Sequence, residues 1–283
     1  MSTTGSRTPK VIVAYDGSPD AKRALGWAAD LARTRKAPLQ VVVAMGDQRV
    51  RRVTELDVEW ERTHEADLTA DARAAVDALD LDTASLELSH YPPTPAILDE
   101  ADETSVIVLG SRGHSRLASF FVGSVSQHLA QHAPCTVVVV REPSDPEADT
   151  VVVGTDASAG CRPALDFALD YAAAHGMPVR ATYVSEVAHR PEGRHVAGED
   201  ENLAAAEPLI TDAIKPYADK HPDVTVHREL VAGSPSRTLA DASEHAALLV
   251  VGSRGRGAFE SMLLGSVSQA MLHHARCTVA IAR

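Results

Sequence analysis

Two short segments of this chain carry the same spacing of glycine and serine. Gly110-Ser111-Arg112-Gly113 is followed nine residues later by Gly123-Ser124-Val125-Ser126-Gln127, and Gly252-Ser253-Arg254-Gly255 is followed in the same way by Gly265-Ser266-Val267-Ser268-Gln269. This spacing suits phosphate chemistry. Glycine lets the backbone approach an anion closely and adopt positive φ without a Cβ clash. The third glycine of each set opens a helix, whose free N–H groups and dipole can hold phosphate oxygens. One helix start is worth about 0.3–1 kcal/mol to an exposed anion and roughly 2 kcal/mol to a partly buried one, so several contacts must combine. The hydroxyls of Ser124, Ser126, Ser266 and Ser268 add donors. The bland alternative is that these glycines serve turns and caps only. An unchanged spacing in two copies whose middle loops have drifted speaks for a ligand. No Gly-Lys-Ser/Thr follows, and there is no G-x-G-x-x-G, so neither a Walker loop nor a dinucleotide fingerprint is present.

Other polar residues gather round these segments. Arg112, His114, Arg116, Arg254 and Arg256 lie between the glycines. They either neutralise phosphate charge or form a solvated loop. Asp16 and Asp156 each end the first apolar run of a copy, a place where aspartate often serves a turn. Ser18 already supplies the helix cap and Asp156 recurs where its neighbours differ, which favours ligand contact. His132 with Cys135 and His274 with Cys277 give two metal-ligand types per copy. That is too few for a zinc site, and a buried thiol before the last strand is the simpler reading. Cys161 has no counterpart and no evident role. No Ser-His-Asp or paired-carboxylate spacing argues for a catalytic centre.

The elements that must position these residues also repeat. Val11-Ile12-Val13-Ala14-Tyr15-Asp16 matches Val151-Val152-Val153-Gly154-Thr155-Asp156, and tandem duplication explains the match. In the first copy, Val11–Tyr15 is a short β-branched run, the mark of a strand buried on both faces. Ser18 and Pro19 start a helix carrying Ala21, Ala24, Leu25, Ala28, Leu31 and Ala32 at helical spacing. Leu39–Ala44 reads as a strand, Glu55 to Leu79 as a polar helix, Leu86–Ser89 as a strand and Ala96–Asp102 as a helix. Val106–Leu109 is the next strand, a helix starts near Gly123-Ser124, and Thr136–Val140 closes the copy. The second copy repeats the scheme from Val151 to Ala282. Strands alternating with helices predict an α/β fold of two tandem, doubly wound, mainly parallel five-stranded sheets with helices on both faces. The expected domains are residues 1–143 and 144–283. Glu142 to Thr150, with two prolines and four acidic residues, reads as a short linker.

Bulk composition sets outer bounds. A length of 283 residues suits two domains. The formal net charge of −12 disfavours nucleic-acid backbones and anionic membrane surfaces. No apolar run nears the roughly 18 residues of a membrane span, and Met1 to Lys10 lacks the apolar core of a secretory signal. Three cysteines make a disulfide framework improbable. A cytoplasmic setting is the expectation.

The G-2x-G-9x-G-S pattern, with an aspartate ending the first strand, resembles the universal stress protein family, specifically its tandem-domain, ATP-binding branch. The resemblance covers nearly the whole chain. It implies an adenine nucleotide alpha hydrolase-like fold with strand order 3-2-1-4-5 and an ATP site in each copy, often with magnesium. Asp16 and Asp156 would meet the adenosine end, and the backbone of Ala44 and Val184 would face adenine. Gly110, Gly113, Gly123, Ser124, Val125 and Ser126 would hold ribose and phosphates. Gly252, Gly255, Gly265, Ser266, Val267 and Ser268 would do the same in the second copy. The last strands, Thr136–Val140 and Thr278–Ala282, would pair across a pseudo-two-fold axis, and chains would form homodimers through last strands. The implied role is nucleotide-dependent stress or signalling regulation with at most slow hydrolysis. An ATPase or autophosphorylating enzyme and an interaction module with vestigial sites are the alternatives. One departure is visible: Pro92-Pro93-Thr94-Pro95 stands where the second copy has Gly233-Ser234-Pro235. A stiff loop there is expected to reshape one wall of the first site and make the two affinities unequal.

Overall fold

A computed structural model of the chain describes residues 9–46, 55–113, 122–186, 199–255 and 263–283. The chain divides into two compact units, Met1–Arg141 and Glu142–Arg283.

The first unit runs β1 (Val11–Ala14), α1 (Pro19–Arg35), β2 (Leu39–Ala44), α2 (Glu55–Asp77), β3 (Ala84–Ser89), α3 (Pro93–Glu100), β4 (Val106–Gly110), α4 (Ser124–His132) and β5 (Thr136–Val140). β1 pairs in parallel with β2 and β4, β2 with β3, and β4 with β5, giving the order 3-2-1-4-5. Val11 stands level with Leu39 on one side and Val106 on the other. Val106 to Leu109 are all buried. Successive strand residues point to opposite faces, so both faces of this central strand are covered. β3 shows half-buried residues alternating with exposed Ser85 and Glu87, as suits an edge strand.

α1 starts where the sequence says it should. Ser18 Oγ accepts the Ala21 N–H at 3.2 Å, and Pro19 takes the first helical position, where a missing N–H costs nothing. Its end is closed by Lys36 in the left-handed region. The proline run behaves differently from expectation. Pro92 is the N-cap of α3 and Pro93 its first residue, so the run is the first turn of the helix and not a separate stiff loop. Proline's φ is preset for that turn, whose N–H groups have no intrahelical partner.

The second unit runs β6 (Val151–Gly154), α5 (Arg162–His175), β7 (Val179–Glu186), α6 (Glu199–Lys220), β8 (Val226–Gly233), α7 (Pro235–Ala242), β9 (Leu248–Gly252), α8 (Ser266–His274) and β10 (Thr278–Ala282). Its parallel pairings give β8-β7-β6-β9-β10, the same order. α6 keeps Pro208 and Pro216 inside it, while Ala206, Ile210 and Ile214 are buried. Residues 142–150 form no helix or strand, yet they are tied to this unit. Ser144 N donates to Arg276 O at 3.0 Å, and His245 Nδ1 donates to Asp145 Oδ2 at 3.0 Å. That histidine holds the Asp145 carboxyl below its usual range. Among the described residues, no helix is long and apolar enough to cross a membrane.

Candidate functional site

Each glycine pattern is laid across the carboxyl end of its sheet, where open parallel sheets take their ligands. Gly110 is the last residue of β4 and Gly123 the N-cap of α4. Gly252 ends β9 and Gly265 caps α8. The segment folds back on itself through the same bonds in both units. Gly123 N donates to Ser111 O at 3.0 Å, and Gly265 N to Ser253 O at 2.8 Å. Ser126 Oγ donates to Gly110 O at 3.1 Å, and Ser268 Oγ to Gly252 O at 2.6 Å. The helix start is thereby latched against the strand end.

Both helices begin without a side-chain cap. The first intrahelical bonds are Gln127 N to Gly123 O and Gln269 N to Gly265 O. The N–H groups of Ser124, Val125 and Ser126 therefore have no acceptor within the helix, and those of Ser266, Val267 and Ser268 are placed alike. A Ser, Thr, Asp or Asn would normally cap such an end. Glycine leaves it open to an external anion.

The six motif glycines do three different jobs, and none takes a positive φ. The conformational freedom expected from the sequence is not used; close approach is. A methyl on Gly110 would stand 2.7 Å from the Asp20 carbonyl carbon, and one on Gly252 would stand 2.6 Å from Gly160 O. These two glycines let α1 and the chain leading into α5 lie against the strand end. A methyl on Gly113 would stand 2.6 Å from Asp16 Oδ2, and one on Gly255 2.7 Å from Asp156 Oδ2. These two make room for a carboxylate. At Gly123 and Gly265 the nearest atoms would be 3.7 and 3.4 Å away, so nothing within the fold demands glycine there.

The two aspartates take the turn role weighed from the sequence. Asp16 Oδ1 accepts the Ser18 N–H at 3.0 Å, and Asp156 Oδ1 the Ser158 N–H at 2.8 Å. One oxygen thus fixes the turn while the other faces the loop glycine.

In the second unit these parts enclose a cleft of about 510 Å³, within the range of small-molecule sites. All eight residues singled out from the second copy line it: Asp156, Val184, Gly252, Gly255, Gly265, Ser266, Val267 and Ser268. Leu239, Pro235 and Val251 add an apolar wall, and Thr182, Tyr183, Glu186 and Arg254 line it too. A methyl on Gly154 would stand 2.8 Å from Leu239 Cδ1, so Gly154 makes room for that wall. Sequence reasoning missed the wall because α7 announces itself only as a helix start. Cys161 also lines the cleft; burial pushes its thiol pKa up, although its bond with Thr155 Oγ1 at 3.1 Å works the other way. In the first unit, Asp16, Ala44, Gly110, Gly113, Gly123, Ser124, Val125 and Ser126 take the matching places at strand ends and helix start. His114, Arg116 and Arg256 lie outside the described residues.

Two serine expectations change. Ser126 and Ser268 spend their single hydroxyl hydrogen on the strand carbonyl, so only their N–H groups remain to donate. Ser124 and Ser266 stay exposed at the helix start. Cys135 and Cys277 are fully buried. Among the described residues, no three His, Cys, Asp or Glu side chains come together as a metal site.

Comparison with known proteins agrees with this fold. The universal stress protein family matches residues 8–141 and again 147–283. The universal stress protein Rv2005c of Mycobacterium tuberculosis is 34% identical over 297 residues, covering 96% of each chain. Rv2623 of the same organism is 30% identical over 299 residues, covering 99% of this chain and 98% of its own. A universal stress protein structure from Archaeoglobus fulgidus shares the fold, with a TM-score of 0.67 at 20% identity over 97% of this chain and 96% of its own. Two matches end to end, over two units with one strand order and one glycine pattern, place this chain in the universal stress protein family, in its tandem two-domain form.

Proposed function

We propose that this chain is a nucleotide-dependent regulator: ATP seats in each cradle, and its occupancy sets conformation or partner choice. The observation that carries the reading is the open start of α8. Three N–H groups without helical acceptors border a cleft whose Gly265 is not required by the fold. Gly252, Gly255 and Gly265 would let phosphates approach the backbone, with Ser266 Oγ as a further donor. Asp156 and Val184 would meet the nucleoside against the wall of Leu239 and Val251. Gly110, Gly113, Gly123, Ser124, Asp16 and Ala44 would serve the first cradle alike. Magnesium would be carried on the triphosphate's own oxygens. Chains would pair through their last strands, a state that light scattering reads directly, and the three buried cysteines, none in a disulfide, suit the cytoplasm.

Calorimetric titration of nucleotide-stripped protein with ATP and magnesium tests the reading. Binding near two sites per chain is expected, lost in the Gly113→Ala, Gly255→Ala double variant. Folded protein that takes up no nucleotide would leave the interaction-module reading in its place. Turnover near the ~10 per second of ordinary enzymes would contradict a regulator. A second reading is autophosphorylation, favoured by the exposed hydroxyls of Ser124 and Ser266 and not by the engaged ones of Ser126 and Ser268. Mass spectrometry after incubation with γ-labelled ATP detects it.

A further inference from the structure

Among the described residues, the two cradles pair their charges differently. At the start of α1 stands Asp20, almost buried, whose carboxylate accepts from Ser111 Oγ at 2.7 Å and from Arg112 Nε at 3.3 Å. Arg23 pairs with the same carboxylate. The arginine and serine between the first two glycines are therefore satisfied from within the unit. The matching position in the second unit is Gly160. A methyl there would stand only 2.8 Å from Arg254 O, so no side chain of any kind fits.

The donors persist without their acceptor. Arg254 lines the cleft and, among the described residues, has no hydrogen-bond or ion-pair partner for its guanidinium. Ser253 is buried with its hydroxyl equally unpartnered among the described residues. Ser158 Oγ is buried and unbonded as well, 3.5 Å from where a Gly160 methyl would lie. In the first unit the equivalent Ser18 caps α1. In the second, a single 3-10 turn over Ala159–Cys161 comes first and leaves Ser158 without its N–H. Among the described residues, Glu186 is the one further acidic group on this cleft besides Asp156. It sits at the end of β7, across β6 from the glycine segment.

We propose that the two cradles select nucleotides by charge: Arg254 makes the second a triphosphate site, while Asp20 compensates Arg112 and leaves the first nearly indifferent to phosphate number. This rests on the nucleotide-binding reading above and assigns the selectivity of each site. A hydrogen bond from an arginine to a phosphate oxygen is charge-assisted, worth roughly tenfold in affinity at a partly exposed position.

The test compares ATP with AMP, each with magnesium, by calorimetry on the full chain. Gly113→Ala leaves the second cradle to be read alone, and Gly255→Ala leaves the first. With the second cradle alone, ATP is expected to bind more tightly than AMP, and Arg254→Ala to shrink that ratio about tenfold. With the first alone, the ratio is small and Arg112→Ala moves it by less than about twofold. Asp20→Asn frees Arg112 and raises the ratio roughly threefold, with the fluorescence of Trp27 checking that this unit stays folded. Equal ratios in the two cradles, or equal effects of the two arginine variants, would overturn the proposal while leaving nucleotide binding intact. No binding of either nucleotide by folded wild-type chain would remove the underlying reading as well.

Discussion

Gly252 and Gly255 are three residues apart, yet their replacement by alanine should act on different properties. In Gly252→Ala the new methyl meets Gly160 O at 2.6 Å, Arg254 O at 3.3 Å and Cys161 Cα at 3.4 Å. All three are backbone atoms, and carbon–oxygen contact needs more than about 3 Å, so the start of α5 must move off β9 by roughly half an ångström. Overpacking of this kind costs about 1–3 kcal/mol, or a fall of roughly 3–9 °C in the melting of a unit of this size. In Gly255→Ala the methyl meets, among the described residues, only the Asp156 side chain, with Oδ2 at 2.7 Å. A carboxylate can rotate away, so melting should shift by less than about 2 °C. The displaced carboxylate no longer borders the cleft, and ATP affinity at the second cradle should fall at least tenfold, about 1.4 kcal/mol. Differential scanning calorimetry is the assay for stability, because Trp27 and Trp60 both lie in the first unit and fluorescence would not report the second. Isothermal titration supplies the affinity. The reasoning fails if Gly255→Ala melts as early as Gly252→Ala while its folded fraction binds ATP normally, since both glycines would then be structural.

Further outcomes follow from the geometry. Tyr15 Oη donates to Asp71 Oδ2 at 2.6 Å and Lys22 Nζ to Asp71 Oδ1 at 2.9 Å, so Tyr15→Phe should cost about 1 kcal/mol in urea unfolding of the first unit. Lys22 and Tyr15 hold the Asp71 carboxyl below its usual range. Its contribution is therefore present above the unfolded value of roughly 3.9 and lost as pH falls through the folded one, and the gap between wild type and Asp71→Asn should close on that acid limb. Ser268→Ala removes the bond to Gly252 O, and should lower second-unit melting by roughly 2–4 °C per kcal/mol lost, with calorimetry as the check. Cys161, whose thiol is held protonated by burial, should react with iodoacetamide more slowly than a free cysteine at pH 8. Added ATP should slow it further if nucleotide fills the cleft that Cys161 lines.

The parts of the fold most legible in sequence were those set by short-range chemistry. Val11–Ala14, Thr136–Val140 and the Ser18–Pro19 helix start follow from β-branched runs and capping, which need no tertiary partner to be recognised. Repetition carried the second unit, including α6. Read alone, Pro208 and Pro216 would have split that helix; buried Ala206, Ile210 and Ile214 hold it against the sheet. α3 starts at Pro93 and not near Ala96, where the sequence predicts it, because the structure uses in the first turn prolines that read as a loop. At the site, the glycine spacing was visible but its meaning was not. Whether a glycine spares a carbonyl, as at Gly252, or a carboxylate, as at Gly255, depends on residues about a hundred positions away. The Asp20 and Gly160 difference was equally hidden, since neither belongs to the repeated pattern and only packing brings them to it.

The glycine caps of α4 and α8 also bear on how long the protein lasts. A helix that starts uncapped is less stable by about 1 kcal/mol than one closed by serine or aspartate, and an anion seated there restores what the sequence withholds. Folding and ligand concentration then become a single equilibrium. A ligand at a hundred times its dissociation constant adds about 2.7 kcal/mol per site, which lowers the population open to proteases by the same factor of about a hundred. If nucleotide fills these helix ends as proposed, survival of the chain tracks its supply.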